Sequence, residues 1–586
     1  MSFFKQVLAT MVGILVMSIL GGVIFFATIV SIIASGDKTP SISSGSVLQI
    51  NLQGLVADRV ADDSPLSYVL GDSFYEQSLS DILSAIREAK TNPKIEAIFL
   101  QGGMIETEPA NLQEIHEALV NFRESGKKIF AYGETYSQGA YYISSVADEI
   151  MLNPAGQVDW HGLSSQRIYY KDLLDKVGVN MQLYRVGKYK SYGEAYTRNN
   201  MSDESREQLT AMIGGIWSEI LTKVSAHRKI PTDTLNAYAD RYISFETPER
   251  FVTSGLVDTL CYINDAKTLM QKKLGVSKLN MVSPTELVAN ISAPSYKEGK
   301  VAVYFAEGSI VTSNVEGFSG ESYISSDQMV PDIENLSDDE SVKAVVLRIN
   351  SPGGSAAASE MIWDAVRRLA KKKTVVVSMG GAAASGGYYI ASAAPTIFAD
   401  PTTITGSIGI FAMIPDAHSL LDNKIGLKFE TVKTNASGDF LTTLSRPLTS
   451  GESAVIQAYV DRGYDLFLDR VAKGRKKTRD EVHEIAQGRV WTGAEAHKIG
   501  LVDKLGGLDN AIAFAAKKAG VKANAVETYP APKAWYEDLL EDTKSNYFET
   551  QMREVLGDLY VPITYTHSLK GRDCIQTALP YRIDIR

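Results

Sequence analysis

At 586 residues, with 45% apolar and 22% charged side chains, the chain is too long for one hydrophobic core and too ordinary in composition for a disordered or fibrous protein. About two domains of 200–250 residues are expected. A formal charge of −10 favours solubility and leaves no footprint for nucleic acid, while two scattered cysteines, Cys261 and Cys574, read as free thiols rather than a disulfide framework, although one bond between them is possible on arithmetic. The seven histidines have no metal-ligand spacing, so neither metal nor cofactor is expected.

Between Gln6 and Gly36 there is no charged residue, and residues 7–33 are almost uniformly apolar. About 20 such residues span a bilayer, whereas the apolar part of a cleaved leader is only about 7–15 long. Residues 1–36 therefore read as a retained membrane anchor rather than a removed leader. Lys5 precedes the span, and Asp37 and Lys38 follow it; the positive-inside tendency then keeps the amino terminus cytoplasmic and the bulk of the chain outside. Residues 37–45, rich in Ser, Pro and Gly, form a linker.

Residues 47–52 open a first domain, 46–294, as a strand, and residues 301–305 open a second, 295–525, in the same way. Each domain then offers a buried strand (95–100 or 342–349), a helix (106–125 or 355–371) and a third strand (128–132 or 374–379). A further helix, such as the one at 79–89, precedes the buried strand of each copy. Strands alternating with helices imply right-handed parallel crossovers and the α/β class. Long helices at 202–224 and 450–472 complete the copies. The stripe Leu209, Met212, Ile213, Ile216 and Ile220 on the first of them fits a core face, with a partner-binding face as the alternative. Residues 526–586 form a tail that matches neither copy.

The two domains are repeats. QGAYYI at 138–143 recurs as SGGYYI at 385–390, and the same offset of 247, Gln138 to Ser385, pairs Gly133 with Gly380, Ile95 with Val342, Leu100 with Leu347, Pro154 with Pro401 and Gly162 with Gly409. Where the second copy has Ser385 the first has Gln138; where the first has Lys190, the second, after a one-residue gap, has Ala436. A serine and a lysine thus survive in different halves, which points to one site assembled from both.

Ser385 follows a run of small residues, 380–384, and precedes a helix read at 386–394. A hydroxyl at a helix amino terminus meets free amides and the positive end of the dipole, which suits a nucleophile; a plain helix cap is the competing reading. The Gly386 amide is a natural oxyanion donor. Gly354, in the turn Ser351-Pro352-Gly353-Gly354 after a strand, offers a second amide that the first copy lacks. A serine needs a base, and no histidine stands beside these motifs. A desolvated lysine can serve, because burial favours the neutral amine. Lys190 sits among Tyr184, Val186, Tyr189 and Tyr192; Lys188, two residues earlier, competes for the role. Ser407 is placed either to orient the amine or to stabilise its own turn.

The anchor, the two repeats, Tyr189-Lys190-Ser191, Ser351-Pro352-Gly353-Gly354 and Ala384-Ser385-Gly386-Gly387-Tyr388 together resemble the signal peptide peptidase A (protease IV) family in its long tandem form, over roughly residues 45–525. The resemblance implies a tandem of two ClpP/crotonase-like domains and a serine endopeptidase that degrades cleaved signal peptides and similar apolar, extended peptides through an acyl-enzyme. It implies Ser385 as nucleophile, Lys190 as general base, Gly354 and Gly386 as oxyanion donors and Ser407 as the residue that orients the lysine. It also implies a homotetramer on the cytoplasmic membrane, with catalytic domains facing the periplasm or cell exterior. Two other readings stand beside it. A crotonase-like acyl-thioester enzyme would need carboxylates near the glycine turn, for which Glu360 is available, and a non-catalytic membrane scaffold would need only the repeats.

Overall fold

The structure, a computed structural model, describes residues 10–13, 16–22, 24, 41–60, 76–292, 294–313, 322–441, 445–531 and 575–578, the last as backbone. The first half runs β1 (Ser46–Ala57), β2 (Glu76–Ser78), α1 (Leu79–Thr91), β3 (Ile95–Glu106), α2 (Pro109–Arg123), β4 (Lys128–Tyr136), α3 (Gln138–Ser144), β5 (Glu149–Val158), β6 (Asn180–Arg185), α4 (Asp203–Arg228), β7 (Thr259–Leu260) and β8 (Asn280–Val282). Apart from β6, its strands pair in parallel in the order β2-β1-β3-β4-β5-β7, with β8 also on β1.

The second half repeats the plan with β9 (Lys300–Glu307), β10 (Ser309–Val311), β11 (Tyr323–Ser325), α5 (Ser326–Asp338), β12 (Val342–Ser351), β13 (Gly353–Ser355), α6 (Ala356–Lys372), β14 (Thr374–Ala384), α7 (Gly386–Ala391), β15 (Ile397–Ala399), β16 (Ile404–Gly406), β17 (Phe411–Asp416), α8 (Ser450–Arg475), β18 (Val490–Thr492), β19 (Lys504–Leu505), α9 (Leu508–Ala519) and β20 (Val526–Tyr529). Its main sheet has the order β18-β16-β14-β12-β9-β20. The strand β12 is almost wholly buried, as expected of a parallel sheet covered on both faces. Val345, Leu347 and Ile349 face Ile362, Val366 and Phe467 of α6 and α8. Ala344 and Val346 face Ala511 and Ala515 of α9.

Several boundaries differ from the sequence reading. The helix expected from residue 106 begins at Pro109, because β3 continues through Glu106 and proline suits a first helical turn. The strand expected at 374–379 continues through the small residues before Ser385: Ala382, Ala383 and Ala384 pair with Ile404, Thr405 and Gly406. The helix after Ser385 is shorter than expected and closes at Ala391. The strand β20 lies just beyond the boundary expected at 525 and pairs with β9 as β8 pairs with β1. Part of the expected tail therefore completes the second sheet. Most of the expected anchor lies outside the described residues; residues 10–13, 16–22 and 24 are helical and exposed. Among the described residues no helix is long and apolar enough to cross a membrane.

A third sheet stitches the halves together in the order β11-β10-β13-β21-β17-β6, where β21 is Ile575–Ala578. The first-half strand β6 runs antiparallel to β17 of the second half, from Asn180 opposite Asp416 to Arg185 opposite Phe411. Buried charge adds to this junction. Arg348 on β12 donates to both carboxylate oxygens of Asp58 at 2.9 Å and lies 2.7 Å from Glu114. All three side chains are withdrawn from solvent.

Candidate active site

The chain leaves β14 at Ala384 and enters α7 at Gly386, so Ser385 must turn a strand into a helix in one residue. It does so at φ 56° and ψ −112°, in a region sparsely populated by residues with a side chain and costing about 1–3 kcal/mol. The Ser385 amide donates to Gly406 O at 2.8 Å, which anchors the turn. Its side chain makes no capping hydrogen bond, unlike those of Ser202 and Thr449 at the starts of α4 and α8. The hydroxyl points instead to Lys190, with Nζ 2.8 Å from Oγ.

The register of β6 against β17 delivers that lysine. Beyond Arg185, Val186 donates to Ile410 O at 3.2 Å and Tyr189 to Gln487 O at 3.0 Å, so the segment keeps following second-half backbone until Lys190 reaches Ser385. The contact forms within one chain. Close approach requires glycine at Gly488, where a Cβ would stand 2.6 Å from both N and Cβ of Lys190. Lys188 is exposed, its amine over the Tyr189 ring, so it does not share the position.

Lys190 is 1% exposed, and desolvation lowers its amine from 10.5 to about 7. The sequence placed four side chains around it. Of these, Tyr189 is buried, Tyr192 stacks on Phe411 at 4.9 Å, and Tyr184 and Val186 pack on the second-half core. Ser407, itself at φ 52°, receives the amine at Oγ, 3.0 Å, and at its carbonyl, 3.2 Å. A neutral amine has two N–H groups and one lone pair. With both hydrogens on Ser407, the lone pair faces the Ser385 hydroxyl, the geometry needed to accept its proton.

The glycine turns lie beside this pair. Ser351 Oγ donates to Gly308 O at 2.7 Å and accepts from the Gly353 amide at 3.1 Å, which holds the turn. Gly354 is not at an open turn as its sequence suggested: it sits in β13, between Ile310 of β10 and Thr577 of β21, and a Cβ there would lie 2.1 Å from Ile310 O. Gly386 is the first residue of α7, where an amide has no partner within the helix. The backbone of β21 lies antiparallel to β13 on one side and to β17 on the other.

The same fold without the chemistry is visible in the first half. Gln138 accepts from the amides of His161 and Gly162 at 3.0 and 2.9 Å and donates to Gly162 O at 3.1 Å, which ties the loop down onto the side chain standing where Ser385 stands in the other copy. Glu360, the carboxylate that a thioester enzyme would need free, accepts from Tyr389 at 2.6 Å and from Arg470 at 3.1 Å. Cys261 is a free thiol; Cys574 lies outside the described residues. The sequence reading did not single out residues 487–490 or Gln208, which flank Lys190 from the second half and from α4. A conspicuous difference between the copies, Gln208 against Val455 at the offset of 247, was the available signal.

The model of peptidase family S49 matches residues 121–277 and 367–522, one span in each repeat, and the Clp protease model matches residues 321–403. Protease 4 of Haemophilus influenzae is 35% identical over 92% of this chain and 90% of its own length. Protease 4 of Salmonella typhi is 37% identical over 85% of this chain and 82% of its own. The chloroplastic serine protease SPPA of Arabidopsis thaliana is 31% identical over 91% and 78%.

Proposed function

Because the chain belongs to peptidase family S49 and is a serine peptidase of the signal peptide peptidase A type, we propose that Ser385 is its nucleophile and Lys190 its general base. The observation that carries this reading is the 2.8 Å contact between a buried amine and a hydroxyl on a strained turn. In the first step neutral Lys190 takes the Ser385 proton while Oγ bonds to the peptide carbonyl carbon. The resulting oxyanion accepts from the amide of Gly386, and from that of Gly354 when substrate takes the place of residues 575–578 beside β13. Lys190 then passes its proton to the departing amine as the C–N bond breaks, leaving an acyl-enzyme. Water, deprotonated by the same amine, releases the acid and restores the serine. Ser407 keeps the lone pair aimed throughout.

Its substrates are cleaved signal peptides and similar apolar, extended segments. In support, the backbone of residues 575–578 already lies as an extended strand between β13 and β17, so the groove takes peptide by main-chain pairing. The catalytic domains stand outside the cytoplasmic membrane on a single anchor in residues 1–36. Supporting the anchor are the exposed apolar residues Met11, Val12, Val16, Met17, Ile19, Leu20 and Ile24 on its helical part. The family resemblance further supports assembly as a homotetramer.

A fluorophosphonate should label the purified protein at Ser385. Labelling and peptide cleavage should both vanish in Ser385→Ala and in Lys190→Ala, with folding retained. An active Lys190→Ala beside an inactive Lys188→Ala would overturn the assignment of the base.

A further inference from the structure

A buried amide on α4 touches both neighbours of Lys190. Gln208, 1% exposed, donates through Nε2 to Tyr189 O at 2.9 Å and to Ser191 Oγ at 3.2 Å, and its Oε1 accepts from the Val490 amide at 3.1 Å. Val490 belongs to the segment that holds the other contacts of the amine. Its neighbour Arg489 receives the Ser407 amide at 2.7 Å, Gly488 donates to Ile408 O at 2.8 Å, and Val490 itself pairs with Gly406. One side chain therefore clamps the lysine segment of the first repeat to the start of β18 in the second, next to Arg489, whose carbonyl holds the Ser407 amide. We infer that Gln208 is a positioning residue for the reaction, setting the Lys190 amine between Ser407 and Ser385.

Two features separate this from ordinary core satisfaction. The first is the repeat itself: α4 and α8 are each 26 residues long and start at the same offset, yet the place of Gln208 is taken on α8 by Val455, which is 57% exposed. The helix has no architectural need for a buried amide there. Gln208 occurs in the copy that carries the lysine. The second is its neutrality. Ionic groups around the segment are held to its edges: Arg185 donates to Lys190 O and contacts Glu194, and Arg489 pairs with Glu207 beside the Tyr189 hydroxyl. An amide supplies two donors and an acceptor without a charge, so it fixes the backbone while leaving the amine dry and uncharged. A carboxylate there would favour the protonated amine.

The inference rests on the assignment of Lys190 as base, and the test keeps the two apart. Gln208→Met has similar volume and none of the three hydrogen bonds. Cleavage of a fluorogenic peptide by the full chain in detergent is followed from pH 5 to 10, beside the wild type, Lys190→Ala and Gln113→Met. Gln113 is an equally buried amide at the repeat junction, accepting from Thr402 at 2.8 Å. Misplacement by about 1 Å costs about 10²-fold, so Gln208→Met should lose about 10- to 100-fold in kcat with KM little changed. The midpoint of the rising limb should also move upward as the amine gains water. Gln113→Met should melt at a lower temperature with kcat and midpoint at the wild-type values. Should Gln208→Met fail to fold, Gln208→Glu, which keeps the acceptor for Val490 but has no donor for Tyr189 O, is read in the same way: a fallen kcat with the midpoint moved upward supports the role. Wild-type kcat and midpoint in whichever Gln208 variant folds would overturn it, and so would an equal midpoint shift in Gln113→Met. An active Lys190→Ala would instead overturn the assignment of the base.

Discussion

The dry amine of Lys190 makes a quantitative prediction about rate against pH. Burial lowers it from 10.5 to about 7, a difference of about 3.5 units or about 5 kcal/mol between its protonation states. At pH 7 about half the molecules then hold a free base; an ordinary lysine would offer about one in 3,000. Acyl-enzyme formation, measured as a burst with a fluorogenic substrate, should rise about tenfold per pH unit up to about pH 6 and level off above about pH 8. Stability should follow the same group. The folded value lies below the unfolded one, so between about pH 7 and 10.5 the unfolded chain binds more protons and stability grows with pH, by up to about 1.4 kcal/mol per unit. Below about pH 7 both states are protonated and the contribution is flat at its least favourable. Lys190→Met should lose this slope along with the activity. A rate profile flat from pH 5 to 10, or one rising only near 10.5, would refute the reasoning.

Four other outcomes follow from the same contacts. Ser385→Gly should abolish acylation yet raise the melting temperature, because glycine relieves a φ of 56° worth about 1–3 kcal/mol against its own entropic cost of about 0.5–1; a lower melting temperature would contradict the strain. Gly488→Ala puts a methyl 2.6 Å from the Lys190 backbone, and kcat/KM should fall about 10²-fold; an unchanged rate would mean that the loop yields freely. Asp58→Ala strips the bidentate partner from buried Arg348 and should cost about 3–5 kcal/mol in equilibrium denaturation, with a loss below about 1 kcal/mol counting against it. Removing residues 575–586 takes away the strand paired with both walls of the groove, so KM for a peptide should fall; an unchanged KM would show that the strand does not compete with substrate.

Much of this protein was legible in its residues. Short apolar runs such as 344–347, inside the strand read at 342–349, mark a buried parallel strand because only a sheet covered on both faces can hide them. The constant offset exposed the duplication, and the reciprocal absence of Ser385 in one copy and Lys190 in the other pointed to a shared site. Boundaries were less legible. The strand read at 374–379 runs on through the small residues 380–384, because the backbones of Ala382, Ala383 and Ala384 pair with Ile404, Thr405 and Gly406. Gly354 likewise looks like an open turn, and becomes strand through partners more than 40 residues away on one side and more than 200 on the other.

The sequence by itself determined which groups are present: a hydroxyl followed by glycines, a lysine among tyrosines, and two α/β units to carry them. The tertiary structure decided that they meet. Antiparallel pairing of Asn180–Arg185 with Phe411–Asp416 brings an amine to a hydroxyl 195 residues away and withdraws both from water. Register and burial are properties of the assembled chain. Hydrogen bonds between distant strands set the first, and the packing of two cores sets the second, so neither the 2.8 Å contact nor the lowered basicity of the amine is written in any local stretch of residues.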